Sequence, residues 1–158
     1  MPTSYDFGKA EVCAWIRAHF PRTSTILDVG AGDGKWRRLL REYETMDAVE
    51  AYGPNVTELW KSFYRNVFQA DIRRFEYERY DLIIFGDVIE HMDVEKAQRV
   101  LAYARPRCRD MVVAVPISIT ISGGLCSRNA ATSATTRSAP VWPGFSSLIF
   151  RPVFSPGP

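Results

Sequence analysis

The sequence predicts an α/β fold in which helices flank a doubly wound, mostly parallel sheet. Three observations lead to this prediction. Segments with helical spacing of apolar residues separate short apolar runs, which is the βαβ pattern. Residues 80–85 are almost continuously apolar, as in a parallel strand covered on both faces. A glycine cluster also follows the first run, where such folds turn from strand to helix.

The individual elements follow from the same patterns. The apolar runs predict five strands, at residues 25–29, 46–49, 66–68, 80–85 and 111–115. Apolar residues at spacings of three and four predict four helices, at residues 7–20, 36–43, 54–60 and 94–104. Pro21 closes the first helix, and Pro54 stands at the start of the third.

Charge divides the 158-residue chain into two parts. All 18 acidic residues and 17 of the 20 basic residues precede residue 117, so residues 1–116 have a net charge of 17 − 18 = −1 and do not indicate a nucleic-acid partner. No secretory signal or membrane span is apparent, which predicts a cytoplasmic protein without a membrane partner. The three cysteines lack the spacing of a disulfide framework or a zinc site.

The tail has a different composition. Residues 117–158 are rich in Ser, Thr, Pro and Gly, and their only charges are Arg128, Arg137 and Arg151. We therefore predict a folded domain over residues 1–116 and an atypical tail over 117–158. The tail is either a disordered or flexible lid or the product of a shifted reading frame, and sequencing the gene together with the peptide mass distinguishes these cases.

The strongest functional signal is ILDVGAGDG at residues 26–34, a glycine-rich turn between a strand and a helix. Glycine permits positive φ and lets a ligand approach the backbone, whereas the alternative is a tight turn that binds nothing. The spacing differs from the GxGxxG of dinucleotide sites, and Asp28 and Asp33 would repel a pyrophosphate. The turn favours a cationic ligand without phosphates, such as S-adenosylmethionine (SAM), over NAD.

Two further acids follow the next strands. Glu50 ends the second strand, 22 residues after Asp28, where a carboxylate can accept both ribose hydroxyls of an adenosine. Asp71 follows the third strand, where it can accept the adenine amino group while Ile72 packs on the ring. The alternatives are a solvated strand-end acid for Glu50 and an Asx turn for Asp71.

Together, ILDVGAGDG, VEA at 49–51, QADI at 69–72 and YDLIIFGDVIEHM at 80–92 resemble the class I, Rossmann-like, SAM-dependent methyltransferases in order and spacing. The resemblance covers residues 24–116. It implies that Gly86 and Asp87 lie at the methyl-transfer end of the site. It also implies the following cofactor contacts: Asp28, Gly30, Ala31, Gly32, Asp33, Glu50, Ala51, Asp71, Ile72, Gly86 and Asp87. Such proteins usually end in an antiparallel edge hairpin, which the composition of residues 117–158 predicts to be missing or altered.

Catalysis is predicted at the end of the fourth strand, where Asp87, Glu90 and His91 follow one another closely. Methyl transfer to oxygen needs a base or a metal, and His91 is the only imidazole near this position. The alternative is that the DxxEH segment starts a helix or supports the cofactor.

The sequence leaves four functions open. The first is a SAM-dependent methyltransferase that acts on a small-molecule or sugar-like acceptor, mainly by positioning. The second is metal-assisted RNA 2′-O-methylation at Asp87, Glu90 and His91. The third is an inactive SAM-binding remnant, which the unusual tail suggests. The fourth, an NAD-dependent oxidoreductase, conflicts with Asp28 and Asp33.

Overall fold

In a computed structural model of the chain, the described residues are 8–114 and 147–150. The strands are β1 Ile26–Val29, β2 Met46–Glu50, β3 Val67–Gln69, β4 Tyr80–Gly86, β5 Cys108–Ala114 and β6 Ser147–Phe150. The α-helices are α1 Lys9–His19, α2 Lys35–Leu39, α3 Glu58–Phe63 and α4 Val94–Ala104. Short 3-10 turns occur at Gly53–Asn55, Ile89–His91 and Arg105–Arg107.

The strands form one sheet in the order β3-β2-β1-β4-β5-β6. The first five are parallel, and β6 pairs antiparallel with β5 through the register Met111↔Phe150 to Ala114↔Ser147. The chain progresses outward from β1 in one direction and from β4 in the other. The predicted doubly wound, mostly parallel sheet is confirmed, and its order reverses between β1 and β4, where such sheets leave a crevice for ligands.

The core lies on both faces of the sheet, as the alternation of side chains along β1 illustrates. Ile26 packs in a cluster with residues of α1 and α2, including Ile16 and Trp36. Leu27 points to the opposite face and packs in a second cluster that includes Val100 of α4. Helices therefore cover both faces, so that only the strand ends are free to build a site.

Two predicted helices differ from the structure. The helix predicted over residues 36–43 ends at Leu39. Beyond it, the Arg37 guanidinium donates hydrogen bonds to the carbonyl oxygens of Leu40 and Tyr43 and so stabilises the turn that ends the helix. Pro54 lies in a 3-10 turn, Gly53–Asn55, and α3 starts only at Glu58. Strand β5 also begins earlier than predicted, at Cys108 instead of residue 111.

The altered edge hairpin is tested only in part. Strand β6 provides one antiparallel edge strand, which pairs with β5. The remainder of the predicted tail, residues 117–146 and 151–158, lies outside the described residues. None of the helices in the described segments has the length and apolar character needed to cross a membrane.

Candidate functional site

The glycine-rich turn leaves β1 with three left-handed glycines. The φ angles are 70° at Gly30, 55° at Gly32 and 76° at Gly34, values that residues with a Cβ rarely adopt. A Cβ on Gly30 would also lie 2.7 Å from the side chain of Val88. Glycine is therefore required here both by the backbone and by the close approach of the segment that follows β4.

Glu50 joins this turn to the end of β2. The residue is 8% exposed, and its Oε2 accepts the Gly32 N–H at 2.8 Å while Oε1 accepts the Tyr52 N–H at 2.8 Å. A carboxylate offers about four acceptor sites, so each oxygen retains capacity for a further donor. Two backbone amides therefore hold the buried Glu50 carboxylate in place, and it can accept further hydrogen bonds. This differs from the alternative of a freely solvated strand-end acid.

Asp71 forms the Asx turn that the sequence left as an alternative. Its Oδ1 accepts the backbone N–H of Arg73 at 3.0 Å and the Nε of the same residue at 2.8 Å, while Oδ2 pairs with the second guanidinium nitrogen. These bonds lower the pKa of Asp71 to about 2, mainly through the side chain of Arg73. The carboxylate is thus ionised and held by a neighbour at the pocket wall.

We expect Arg73→Ala to raise the pKa of Asp71 from about 2 toward its ordinary value, because the main charge-assisted partner is lost. A smaller depression should remain, since the backbone N–H at position 73 still donates. A carbon-13 NMR titration of the side-chain carboxyls measures this. Lys96→Ala, which removes the cation paired with Asp93, is the control and should leave Asp71 unchanged; equal Asp71 titrations in both variants would contradict the assignment.

A pocket of about 350 Å³ opens at the carboxyl ends of the strands. Its walls come from the ends of β1 and β2, the segments after β3 and β4, and the start of α4. The lining residues are Gly30, Glu50, Ala51, Asp71, Ile72, Arg73, Val88, His91, Met92, Asp93 and Lys96. The pocket lies in the crevice that the reversal of strand order creates.

The structure brings together some of the predicted cofactor residues and separates others. Gly30, Glu50, Ala51, Asp71 and Ile72 line the pocket. The remaining predicted contacts do not line it: Asp28, Ala31, Gly32, Asp33, Gly86 and Asp87. The two predicted acids of the turn also differ in environment. Asp28 is completely buried beneath it, whereas Asp33 is exposed and pairs with Arg38 at 2.8 Å.

The predicted methyl-transfer end is tightly packed. A Cβ on Gly86 would lie only 2.1 Å from Nε1 of the buried Trp36 side chain. The next residue, Asp87, has a φ of 52°, the only positive value outside glycine in the described segments. Its Oδ2 pairs with the Lys9 ammonium at 2.8 Å, and that ammonium lies 5.8 Å from the centre of the Trp36 ring. Helix α1 is thereby fastened to the end of β4.

Gly86→Ala is expected to lower the free energy of unfolding by about 1–3 kcal/mol, because the added methyl group overlaps the Trp36 ring in a packed region. Urea unfolding followed by circular dichroism measures the loss. In a Trp36→Leu background the same substitution should cost clearly less, as contact between the two positions requires. Equal costs in both backgrounds would show that the Trp36 ring is not the obstacle.

The three predicted catalytic residues have different surroundings. Asp87 is paired with Lys9, Glu90 lies on the 3-10 turn, and the exposed His91 lines the pocket. The pKa of Glu90 is raised, chiefly by partial desolvation of its carboxyl and further by Asp87, although the residue as a whole is exposed. Within the part of the chain that the structure describes, no three His, Cys, Asp or Glu side chains form a group that could hold a metal ion.

Residues 7–114 match the family described as the methyltransferase domain. This match covers more than half of the chain. The chain belongs to that family. No curated protein sequence matches it.

Solved methyltransferase structures share the fold at low sequence identity. An amino pentose methyltransferase of calicheamicin biosynthesis from Micromonospora echinaspora, with bound SAM, is 18% identical with a TM-score of 0.58, over 72% of this chain and 52% of that one. A sugar N-methyltransferase from Streptoalloteichus is 19% identical with a TM-score of 0.56, over 80% and 53%. Magnesium protoporphyrin IX methyltransferase from Synechocystis, with bound SAM, is 16% identical with a TM-score of 0.59, over 72% and 64%. The chain thus spans about half to two thirds of the length of these proteins.

Five residues that line the pocket were not predicted from the sequence, namely Arg73, Val88, Met92, Asp93 and Lys96. The pairing of Lys9 with Asp87, across 78 positions, was not predicted either. Asp93 and Lys96 are three residues apart at the start of α4, a spacing that could have indicated their ion pair. Nothing in the spacing of Lys9 could have indicated its partner.

Proposed function

We propose that this chain is the SAM-binding domain of a methyltransferase that acts on a small-molecule or sugar-like acceptor. The observation that carries the proposal is the pocket at the carboxyl ends of the strands. It joins Gly30, Glu50, Asp71 and Ile72, which come from three separate motifs of the resemblance. Family membership supports the reaction class independently of this geometry.

The side chains present fit an adenosine-type ligand. Glu50 keeps an accepting position on each oxygen and is held by two backbone amides, so it can receive two ribose hydroxyls without rearrangement. Buried Ile72 offers an apolar surface for the adenine ring beside Asp71. Gly32 has a left-handed φ and no side chain. Apart from Gly32 and its two chain neighbours, the Gly30 oxygen is the only described atom within 4 Å of its Cβ position, so a ligand can approach the backbone there.

A cation is favoured over a phosphate in this crevice. Glu50 lines the crevice and Asp28 is buried beneath its turn, whereas the described pocket cations Arg73 and Lys96 are each paired with an acid. Asp33 adds little negative charge because it is paired with Arg38. When bound, SAM supplies a methyl group on positively charged sulfur. The chain's contribution is to hold that group in line with an acceptor and to shield it from water, an effect of positioning.

An acceptor that carries a proton needs a base. His91 is our candidate because it lines the same pocket, whereas the Asp87 carboxylate is already paired with Lys9. Glu90, with its raised pKa, is the second candidate. The proposal of a sugar-like acceptor is supported by the similar folds of an amino pentose methyltransferase and a sugar N-methyltransferase.

Calorimetric titration of the chain with SAM, S-adenosylhomocysteine and NAD tests the proposal. We expect the first two to bind and NAD not to bind; binding of NAD alone would overturn the methyltransferase proposal. A screen with methyl-labelled SAM then identifies the acceptor. Labelling that nuclease removes would instead indicate RNA, and binding without transfer to any acceptor would indicate an inactive remnant.

A further inference from the structure

A buried carboxylate lies directly beneath the cofactor turn. Asp28 is in the centre of the sheet, opposite Ala48 on one side and Ile84 on the other, and is 0% exposed. Its Oδ2 accepts the Tyr64 hydroxyl at 2.8 Å. Its Oδ1 is buried and has no hydrogen-bond partner among the described residues. One oxygen of a charged group is therefore left without compensation in an apolar layer, which is costly.

The neighbouring charges increase this cost. Burial raises the pKa of Asp28 to about 7, the Tyr64 hydroxyl opposes the rise, and the carboxylates of Glu50 and Asp33 add to it. The positive charges of Arg37 and Arg38 act on the Tyr64 hydroxyl in the opposite direction to Asp28, since they lower its pKa where Asp28 and burial raise it. Asp28 is thus poised between its protonated and ionised forms at neutral pH.

In a second buried Asp–Tyr pair, both oxygens of the carboxylate accept hydrogen bonds. Asp47 is 1% exposed and accepts the Tyr80 hydroxyl at 2.9 Å, but it also accepts bonds from Arg65 and Asn66. Burial alone would raise its pKa, yet these bonds lower the pKa below the usual value. The two sites have the same residue types, and they differ in the cations and amides available to the carboxylate.

We propose that binding of the cationic cofactor is coupled to ionisation of Asp28, and that Tyr64 is the positioning residue that holds this carboxylate. The inference rests on the proposed function. Asp28 is two residues from Gly30, which lines the pocket, and Glu50 connects the pocket to the same turn through Gly32. A positive charge in the pocket beside Glu50 lowers the electrostatic cost of ionising the buried Asp28 carboxyl and so favours its ionised form.

The proton balance follows directly. The Asp28 carboxyl releases its proton to the buffer as the cofactor binds, and no covalent bond of the cofactor changes. Because the linkage is reciprocal, affinity for the cofactor must rise with pH until Asp28 is ionised in the free protein, near pH 7. Asp47 is ionised throughout this range and adds no such dependence.

Titration with SAM at pH 7 in phosphate and in Tris, whose heats of ionisation differ, counts the protons released. We expect wild type to release up to about half a proton more than Asp28→Asn, which retains any contribution from the cofactor's own amino group. In Tyr64→Phe, the pKa of Asp28 should rise further. SAM should then bind roughly tenfold more weakly at pH 7, with recovery toward pH 8.

Tyr80→Phe is the matched control, because it removes the same hydroxyl from the other buried Asp–Tyr pair. It should keep the wild-type pH profile and proton count. Equal proton release by wild type and Asp28→Asn would overturn the coupling, and so would identical pH profiles for Tyr64→Phe and Tyr80→Phe. This second comparison decides the matter if Asp28→Asn does not fold. Absence of SAM binding in wild type would contradict the proposed function itself, a separate outcome.

Discussion

Glu50→Ala is expected to weaken SAM binding by roughly 10²–10⁴-fold. The substitution removes the acceptor for two ribose hydroxyls, and each hydrogen bond to a charged group contributes about 1.5–3 kcal/mol. It also releases the Gly32 and Tyr52 amides, so the turn loses its connection to β2. Calorimetric titration of wild type and variant measures the change.

Two further variants make this test specific. Glu50→Gln preserves the size of the side chain but directs an NH₂ group at one of the two backbone amides, so it should lose most of the same affinity. Glu58→Ala removes an equal charge from an exposed i,i+3 pair on α3 and should bind SAM like wild type. An affinity within about threefold of wild type in Glu50→Ala would contradict the ribose assignment.

The sheet could be predicted because its strands are short apolar runs with distinct boundaries. Strand β4 was predicted to within one residue, since its residues are almost all apolar. Strand β5 begins three residues before its prediction because Cys108, Arg109 and Asp110 lack that apolar signal and are recruited through pairing, as Tyr80↔Cys108 shows. Pairing with a neighbouring strand is a tertiary effect that periodicity does not contain.

The site was predictable where a motif coincides with a strand end. Glu50 and Asp71 end or follow strands whose positions are evident, so their placement at one edge of the sheet follows from parallel topology. The partners of two other acids, Asp28 and Asp87, were not predictable. The Tyr64 hydroxyl reaches Asp28 across 36 positions, and Lys9 reaches Asp87 across 78. Such contacts depend on how helices pack on the sheet, which no local pattern encodes.

Asp28→Asn is expected to change how stability depends on pH. The folded-state pKa of Asp28 is about 7, above its ordinary value of 3.8, so the unfolded chain loses this proton first as pH rises. Stability from this group is therefore greatest below about pH 4, decreases through the window from 4 to 7, and is constant above it. Relative to the unfolded chain, ionising Asp28 in the folded protein costs about 4 kcal/mol at and above neutral pH.

The variant cannot ionise, so the difference in unfolding free energy between Asp28→Asn and wild type should grow in favour of the variant between pH 4 and pH 7. Urea unfolding at several pH values measures this difference. The titration of the other groups is common to both proteins and cancels. Asp47→Asn should show the opposite trend, because its carboxylate is stabilised in the folded state and its pKa is lowered. Parallel pH profiles for wild type and Asp28→Asn would mean that Asp28 is ionised at little cost. A stability gain that accompanies lost cofactor coupling would instead identify Asp28 as a residue retained for binding at the expense of the fold.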